Sequence, residues 1–335
     1  MKYLIVLTST LLLFASCAKQ QSTDSSITSP KNIILLIGDG MGLSEVSASI
    51  YYNDTTSNFE NFPIVGLSKT SSSSDLITDS AAGATAFAAG IKTYNGAISV
   101  NPDSIAAPTL FEHLHKKGYK TGVISTSSIV HATPAAFYAH VNSRRDYETI
   151  AQQLAASDVH FFAGGGTQFF NERTDSLQLL NTLTENGFEV HTQLLPEETQ
   201  GKQAILLAKD AMPRMLDGRG SFLPDATKLA LANLATNKDG FILVVEGSQI
   251  DWGGHARDGD YLISEQLDFD KTVGVALEFA AAHKETLVLV TADHETGGFT
   301  LSAKEGNYNE NEYFVEISIV VKFGFVISDL FLHLF

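Results

Sequence analysis

Cysteine is almost missing from this 335-residue chain: there is one, at position 17, so no disulfide can form within the chain. Basic residues are also scarce. Lysine and arginine total 22 against 38 aspartates and glutamates, a formal charge of −16, which argues against a polyanion-binding face and against nucleic acid as a partner. An anionic ligand would be met by metal ions and a few placed cations. No internal repeat is present, and no hydrophobic run reads as a membrane-spanning helix. Tyr3 to Ala15 is too short, and the apolar stretch Tyr313 to Phe335 is interrupted by Glu316, Lys322 and Asp329, each costing about 3 kcal/mol at a helix centre in lipid. The chain is 44% hydrophobic and 18% charged, enough to bury a sizeable core as two domains or as one large α/β domain.

The N-terminus has the form of a targeting segment, with a basic Lys2, the apolar run to Ala15, and small residues before Cys17. Phe14-Ala15-Ser16-Cys17 is similar to the lipobox of bacterial lipoproteins, with Phe14 where leucine is commoner. That similarity implies cleavage before Cys17, its lipidation, and an exported periplasmic or cell-envelope lipoprotein held to a membrane. Residues 1–17 are therefore set apart as a signal, and 18–30, rich in Ser, Thr and Gln, as a flexible tether spanning roughly 20 Å.

Four apolar, β-branched runs follow: Asn32 to Ile37, Lys120 to Ser125, Phe241 to Val245 and Thr286 to Thr291. Between them lie helical patterns at Ser80–Ala89, Ala107–Lys117, Tyr147–Ala156, Asp225–Ala235 and Tyr261–His283. The alternation predicts an α/β fold, a doubly wound, mostly parallel central sheet with helices on both faces. Ligands of such sheets collect beyond the carboxyl ends of the strands. There the chain carries Gly38-Asp39-Gly40, His131-Ala132-Thr133, Glu246 with Asp251 and His255, and Asp293-His294. The stretch from Gly164 to Pro224 shows weaker patterning and reads as peripheral structure in the same domain, with Gly164-Gly165-Gly166 as a turn from strand to helix.

Mixed carboxylate and imidazole ligands suit zinc, and oxygen-rich sets suit magnesium. His113, His115, His140, His160, His191 and His283 have no such company and read as ordinary core or surface histidines. Gly253 and Gly254 suggest a loop or helix entry around Asp251 and His255. Ser80 opens a small-residue helix, where free amides and the helix dipole favour an anion. Asp79 or Ser80 would equally serve as an N-cap. No histidine is near Ser80 in sequence, so a nucleophilic serine here would need a metal ion to lower its pKa.

Five segments together resemble the alkaline phosphatases: IGDGMG at Ile37 to Gly42, TDSAAGATAFAAGIKTYNG at Thr78 to Gly96, HATPAAFYAHVNSR at His131 to Arg144, VEGSQIDWGGH at Val245 to His255, and TADHETGG at Thr291 to Gly298. The resemblance implies that Ser80 attacks phosphorus in line, passing through a phosphoserine. It implies one Zn2+ held by Asp39, Asp293 and His294, a second by Asp251 and His255, and Mg2+ held by Asp39, Thr133 and Glu246. Arg144, rather than Arg145, would clamp two phosphate oxygens, and small phosphomonoesters would be the substrates of a possible homodimer. His131 stands where some members have aspartate, making it a third-site ligand or a neighbour of one that moves preference toward zinc. Trp252 stands where others have lysine, which implies weaker product binding and faster release.

The match fades after Gly298 through about Glu310. The catalytic domain is accordingly bounded at 31–310, and 311–335 is expected to be an aberrant tail from a truncated or frameshifted C-terminus. Members of the family supply a further histidine to the leaving-group zinc from that region, and His333, in an apolar run, does not match it. Two other readings follow from these residues: a catalytically impaired remnant lipoprotein, or a phosphodiesterase or sulfatase of the same superfamily.

Overall fold

The computed structural model describes residues 30–303 and 313–315. Cys17, the tether, most of the tail and His333 lie outside them. Seven strands form one sheet: β1 (Asn32–Gly38), β2 (Lys120–Ser128), β3 (Phe161–Gly165), β4 (Phe188–His191), β5 (Lys202–Leu206), β6 (Phe241–Gly247) and β7 (Thr286–Ala292). Their order is β4-β5-β3-β2-β6-β1-β7, and every pairing is parallel. A short antiparallel pair, β8 (Leu301–Ala303) with β9 (Tyr313–Val315), stands apart. The helices are α1 (Leu43–Tyr51), α2 (Ser80–Ala89), α3 (Leu110–His115), α4 (Ala132–Ala135), α5 (Tyr147–Ala155), α6 (Gln168–Asn171), α7 (Leu179–Glu185), α8 (Phe222–Leu234), α9 (Gln249–Ala256) and α10 (Gly259–Ala282). Among the described residues no helix is long and apolar enough to cross a membrane.

The sheet is covered on both faces, which is why its central strands are continuously apolar rather than alternating. Ile33, Leu35 and Ile37 of β1 join Ile242 and Val244 of β6 on one face, under α2, α3, α4 and α5. Ile34 and Leu36 join Phe241, Leu243 and Val245 on the other, under α1, α8 and α10. The expected doubly wound architecture is therefore present.

Two expectations change. The region from Gly164 to Pro224 is more than peripheral, because it supplies β4 and β5 to the main sheet and the last two residues of β3. These strands are only four or five residues long, too short for periodicity to declare them. Of the triple glycine, Gly164 and Gly165 close β3, while Gly166, with φ of 109°, makes the turn toward α6. A Cβ on Gly165 would lie 1.8 Å from the Asp210 carbonyl oxygen, so close backbone approach is what requires glycine there. The helix expected over 107–117 is confined to α3, which starts where Thr109 and Glu112 form a capping box.

Candidate active site

The carboxyl ends of β2, β6, β1 and β7, four adjacent strands, carry the side chains singled out by the sequence. Asp39 follows β1 in a turn where Gly40 has φ of 71°, and a Cβ on Gly40 would meet the Asp251 Cα at 2.7 Å. Glycine here lets the start of α9 close onto the turn. Asp251 and His255 lie one helical turn apart on α9, with His255 Nε2 3.4 Å from Asp251 Oδ1. Of the loop or helix entry expected there, the structure shows a continuous helix. Gly253 and Gly254 serve contact instead, since Cβ atoms there would meet Leu262 N at 2.6 Å and Thr296 O at 2.5 Å.

Ser80 is the first residue of α2, capped by Asp79, whose side chain accepts from Ala82 N. A Cβ on Gly83 would reach Asp293 Cβ at 3.0 Å, so the small residues of α2 let the serine helix lie against the loop after β7. Ser80 Oγ donates toward Asp39 Oδ1 at 3.3 Å and lies 3.3 Å from His294 Nε2. That histidine, 214 residues away in sequence, is the neighbour that local reading of the chain around Ser80 could not supply. His294 Nε2 is also 3.6 Å from Asp39 Oδ1 and 3.4 Å from Asp293 Oδ2. Asp39, Asp293 and His294 can each present one ligand atom within 4.8 Å of the others. Asp293 Oδ1 accepts from Gly40 N and His294 N, leaving Oδ2 buried without a hydrogen-bond partner.

Asp39 Oδ2, Thr133 Oγ1 and Glu246 Oε1 are likewise buried and unpartnered. A buried polar atom left so is costly, and three oxygens from three segments fit a hard cation. Burial, reinforced by Asp293, Asp251 and Glu246 and opposed by Arg144, pushes the Asp39 carboxyl well above its usual range. Burial also raises Glu246, against hydroxyls that favour its charged form. Carboxylates crowded in this way, with so few cations, fit metal ions chemically.

Arg144 is half-buried and Arg145 exposed. Arg144 Nη1 donates to Asp79 Oδ2 at 3.0 Å, and Nη2 is 3.5 Å from His131 Nε2. His131 is held neutral, its pKa lowered to about 3 by burial and then by Arg144. Its ring meets Trp252 edge-on, with centroids 5.8 Å apart, and its Nδ1 is buried without a partner. Two supports escaped the sequence reading. Asp79 is an anchor for Arg144 as well as a cap. Thr296 Oγ1 donates to Asp251 Oδ1 at 2.5 Å and lies 3.0 Å from His294 Nδ1, tying two ligand sets together; its place in the segment TADHETGG was the available signal. His113, His115, His140, His160, His191 and His283 all lie outside this cluster.

The fold and site define an α/β protein in which a helix-borne serine faces a carboxylate–histidine cluster able to hold a metal ion. The chain belongs to the alkaline phosphatase family, whose model matches residues 30–316, running past the boundary expected at 310. It is 38% identical over 298 residues to alkaline phosphatase 3 of Bacillus subtilis, covering 83% of this chain and 64% of that one. It is 34% identical over 328 residues to alkaline phosphatase of Escherichia coli, covering 79% and 70%. The chain thus spans less than two thirds of the first relative's length. The alkaline phosphatase of the Antarctic bacterium TAB5 superposes with a TM-score of 0.84 at 48% identity, covering 87% of this chain and 88% of that one. A histidine-to-aspartate variant of that enzyme, with magnesium bound in its M3 site, matches with a TM-score of 0.82 at 49% identity, covering 86% and 84%.

Proposed function

We propose that the chain hydrolyses phosphate monoesters through a phosphoserine at Ser80, using Zn2+ at Asp39, Asp293 and His294 and at Asp251 and His255, and Mg2+ at Asp39, Thr133 and Glu246. The observation that carries this reading is the set of buried, unpartnered oxygens on Asp39, Asp293, Thr133 and Glu246 beside the Ser80 hydroxyl. Bound metal would supply Lewis-acid stabilisation of the serine alkoxide and of the leaving oxygen. The residues do the rest. Helix α2 aims Ser80 Oγ into the cluster, and its proton points at Asp39 Oδ1. Arg144, fixed on one side by Asp79, keeps donors of its planar fork for two phosphate oxygens. Neutral His131 offers that guanidinium an acceptor without competing for its charge. With Trp252 at the lysine position, α9 offers product phosphate no lysine, which favours release.

The test is turnover of a chromogenic phosphate monoester and of its diester counterpart, alongside bound zinc per folded chain. Monoester turnover that tracks zinc content is expected. Preferential diester turnover would replace this reading with the phosphodiesterase, and a zinc-poor, inactive chain would leave the remnant lipoprotein.

Export and lipid anchoring at Cys17 are proposed on the lipobox-like sequence. In a lipoprotein-processing host the chain should partition into membranes and Cys17→Ser should release it or stop its processing; wild-type protein found wholly soluble would count against the anchor. Homodimerisation is proposed on the unusual exposure of Ile64, Val65, Leu67, Leu76 and Ile77, an apolar stretch suited to a second copy. Val65→Asp should shift the light-scattering mass from dimer to monomer.

A further inference from the structure

Glu246, at the end of β6, is fully buried, and its two oxygens are treated very differently. Ser125, its register partner on β2, donates to Oε2 at 2.5 Å, and Ser248 donates to the same Oε2 at 2.5 Å. Ser248 occupies the N-cap position of α9 without capping it, so its hydroxyl is committed to Glu246 instead. The two serine oxygens are 2.8 Å apart, and the Ser127 N–H donates to both, at 3.0 and 3.1 Å. That amide occupies a lone pair on each serine oxygen, and each hydroxyl has one proton to give, to Oε2 or across the serine–serine contact. Both hydroxyls lie within hydrogen-bond distance of Oε2, which is the engaged oxygen of the carboxylate. Oε1 is buried without a geometric hydrogen bond, like Thr133 Oγ1 and Asp39 Oδ2.

We propose that Ser125 and Ser248 act as positioning residues that restrict Glu246 to single-oxygen ligation and so set the third site's preference for Mg2+ over Ca2+. The inference rests on the third-site reading given above. Calcium takes six to eight oxygens at about 2.3–2.6 Å and often two from one carboxylate, whereas magnesium demands an octahedron at about 2.0–2.1 Å and keeps several waters. Three single oxygens from Asp39, Thr133 and Glu246, with His131 or water at the remaining positions, suit a small octahedral ion rather than calcium. Freeing Oε2 would let Glu246 present both oxygens, which suits the larger ion.

The experiment uses the whole chain of 335 residues loaded with zinc, titrated calorimetrically with Mg2+ and separately with Ca2+. Circular dichroism and melting of the metal-free proteins establish that each variant folds. Ser125→Ala and Ser248→Ala should each weaken Mg2+ binding about 10- to 100-fold, the range typical for groups that orient metal ligands. The Ca2+ to Mg2+ affinity ratio should rise in both, and Ser248→Thr, which keeps the hydroxyl, should retain the parental ratio. Glu246→Gln separates the two levels of the argument. If it abolishes Mg2+ binding while both serine variants keep the parental ratio, the selector role is wrong and the site stands. If Glu246→Gln binds Mg2+ as the parent does, the third-site assignment fails and the selector with it. A uniform loss of both ions in the serine variants, with no change in ratio, also overturns the proposal. Should Ser125→Ala not fold, the Ser248 pair decides alone.

Discussion

Ser80 occupies a position where small changes separate chemistry from folding. Its hydroxyl is buried beside Asp39 and His294, but its side chain caps nothing, since Asp79 caps the helix. Ser80→Ala should therefore leave the melting temperature nearly unchanged while turnover falls by at least about a thousandfold and no phosphoserine can be trapped. Parental turnover in that variant would place the nucleophile elsewhere. Glu45 shows the reverse case, a titratable group outside the site that bears on stability. It is buried in the first turn of α1, and burial, opposed by its own backbone N–H and reinforced by Glu295, raises its pKa from 4.5 to about 8. A folded-state pKa above the unfolded value means the folded chain holds the proton more tightly. The stability associated with it is intact below pH 4.5 and is lost as pH climbs through 8. Glu45→Gln should accordingly stabilise the chain at pH 8 and above by about 2 to 4 kcal/mol and make little difference at pH 4.5, as read by denaturant unfolding. Equal effects at both pH values would show that Glu45 is ionised in both states.

Elements were legible where their patterns were long, and sites where they sat at strand ends. The adjacent strands β1, β2, β6 and β7, the helix Ser80–Ala89, and the convergence of Asp39, Glu246, Asp251 and Asp293 on one edge follow from apolar runs ending in polar clusters. Strands β4 and β5 did not, because four or five residues cannot establish a period. Around α9 the sequence left loop and helix entry both open, because Gly253 and Gly254 carry the composition of a loop while performing a packing task between distant segments. The same contacts give an element-level prediction. A methyl group at position 254 would press on the Thr296 carbonyl and push α9 away from the loop that holds His294. Overpacking of this kind costs about 1 to 3 kcal/mol. In Gly254→Ala, zinc should be lost at chelator concentrations that leave the parent loaded, ahead of any loss of secondary structure by circular dichroism. If zinc retention is unchanged, the α9 contact does not position the ligands.

At the scale of the whole molecule, the net charge of −16 and the burial of Asp39, Glu246, Asp251 and Asp293 around one point make metal a structural partner as well as a chemical one. Without metal, these carboxylates repel each other in a medium that solvates them poorly. Asp39 and Glu246 have folded-state pKa values raised by that burial, so in the metal-free chain their contribution to stability is present at acid pH and is lost as pH rises through the raised values. With metal the dependence reverses, because ligands must be deprotonated to bind and binding displaces their protons. Glu45 is outside the cluster and contributes the same slope to both forms, so it cancels in the difference between them. The gap in melting temperature between metal-loaded and chelated protein should therefore widen steadily from pH 5 to pH 9, with the chelated form most stable at the acid end. Scanning calorimetry across that range, with zinc and magnesium present or removed, measures the gap directly. A gap that stays constant or narrows with rising pH would mean that the cluster keeps its charge without metal, and that something other than a cation compensates it.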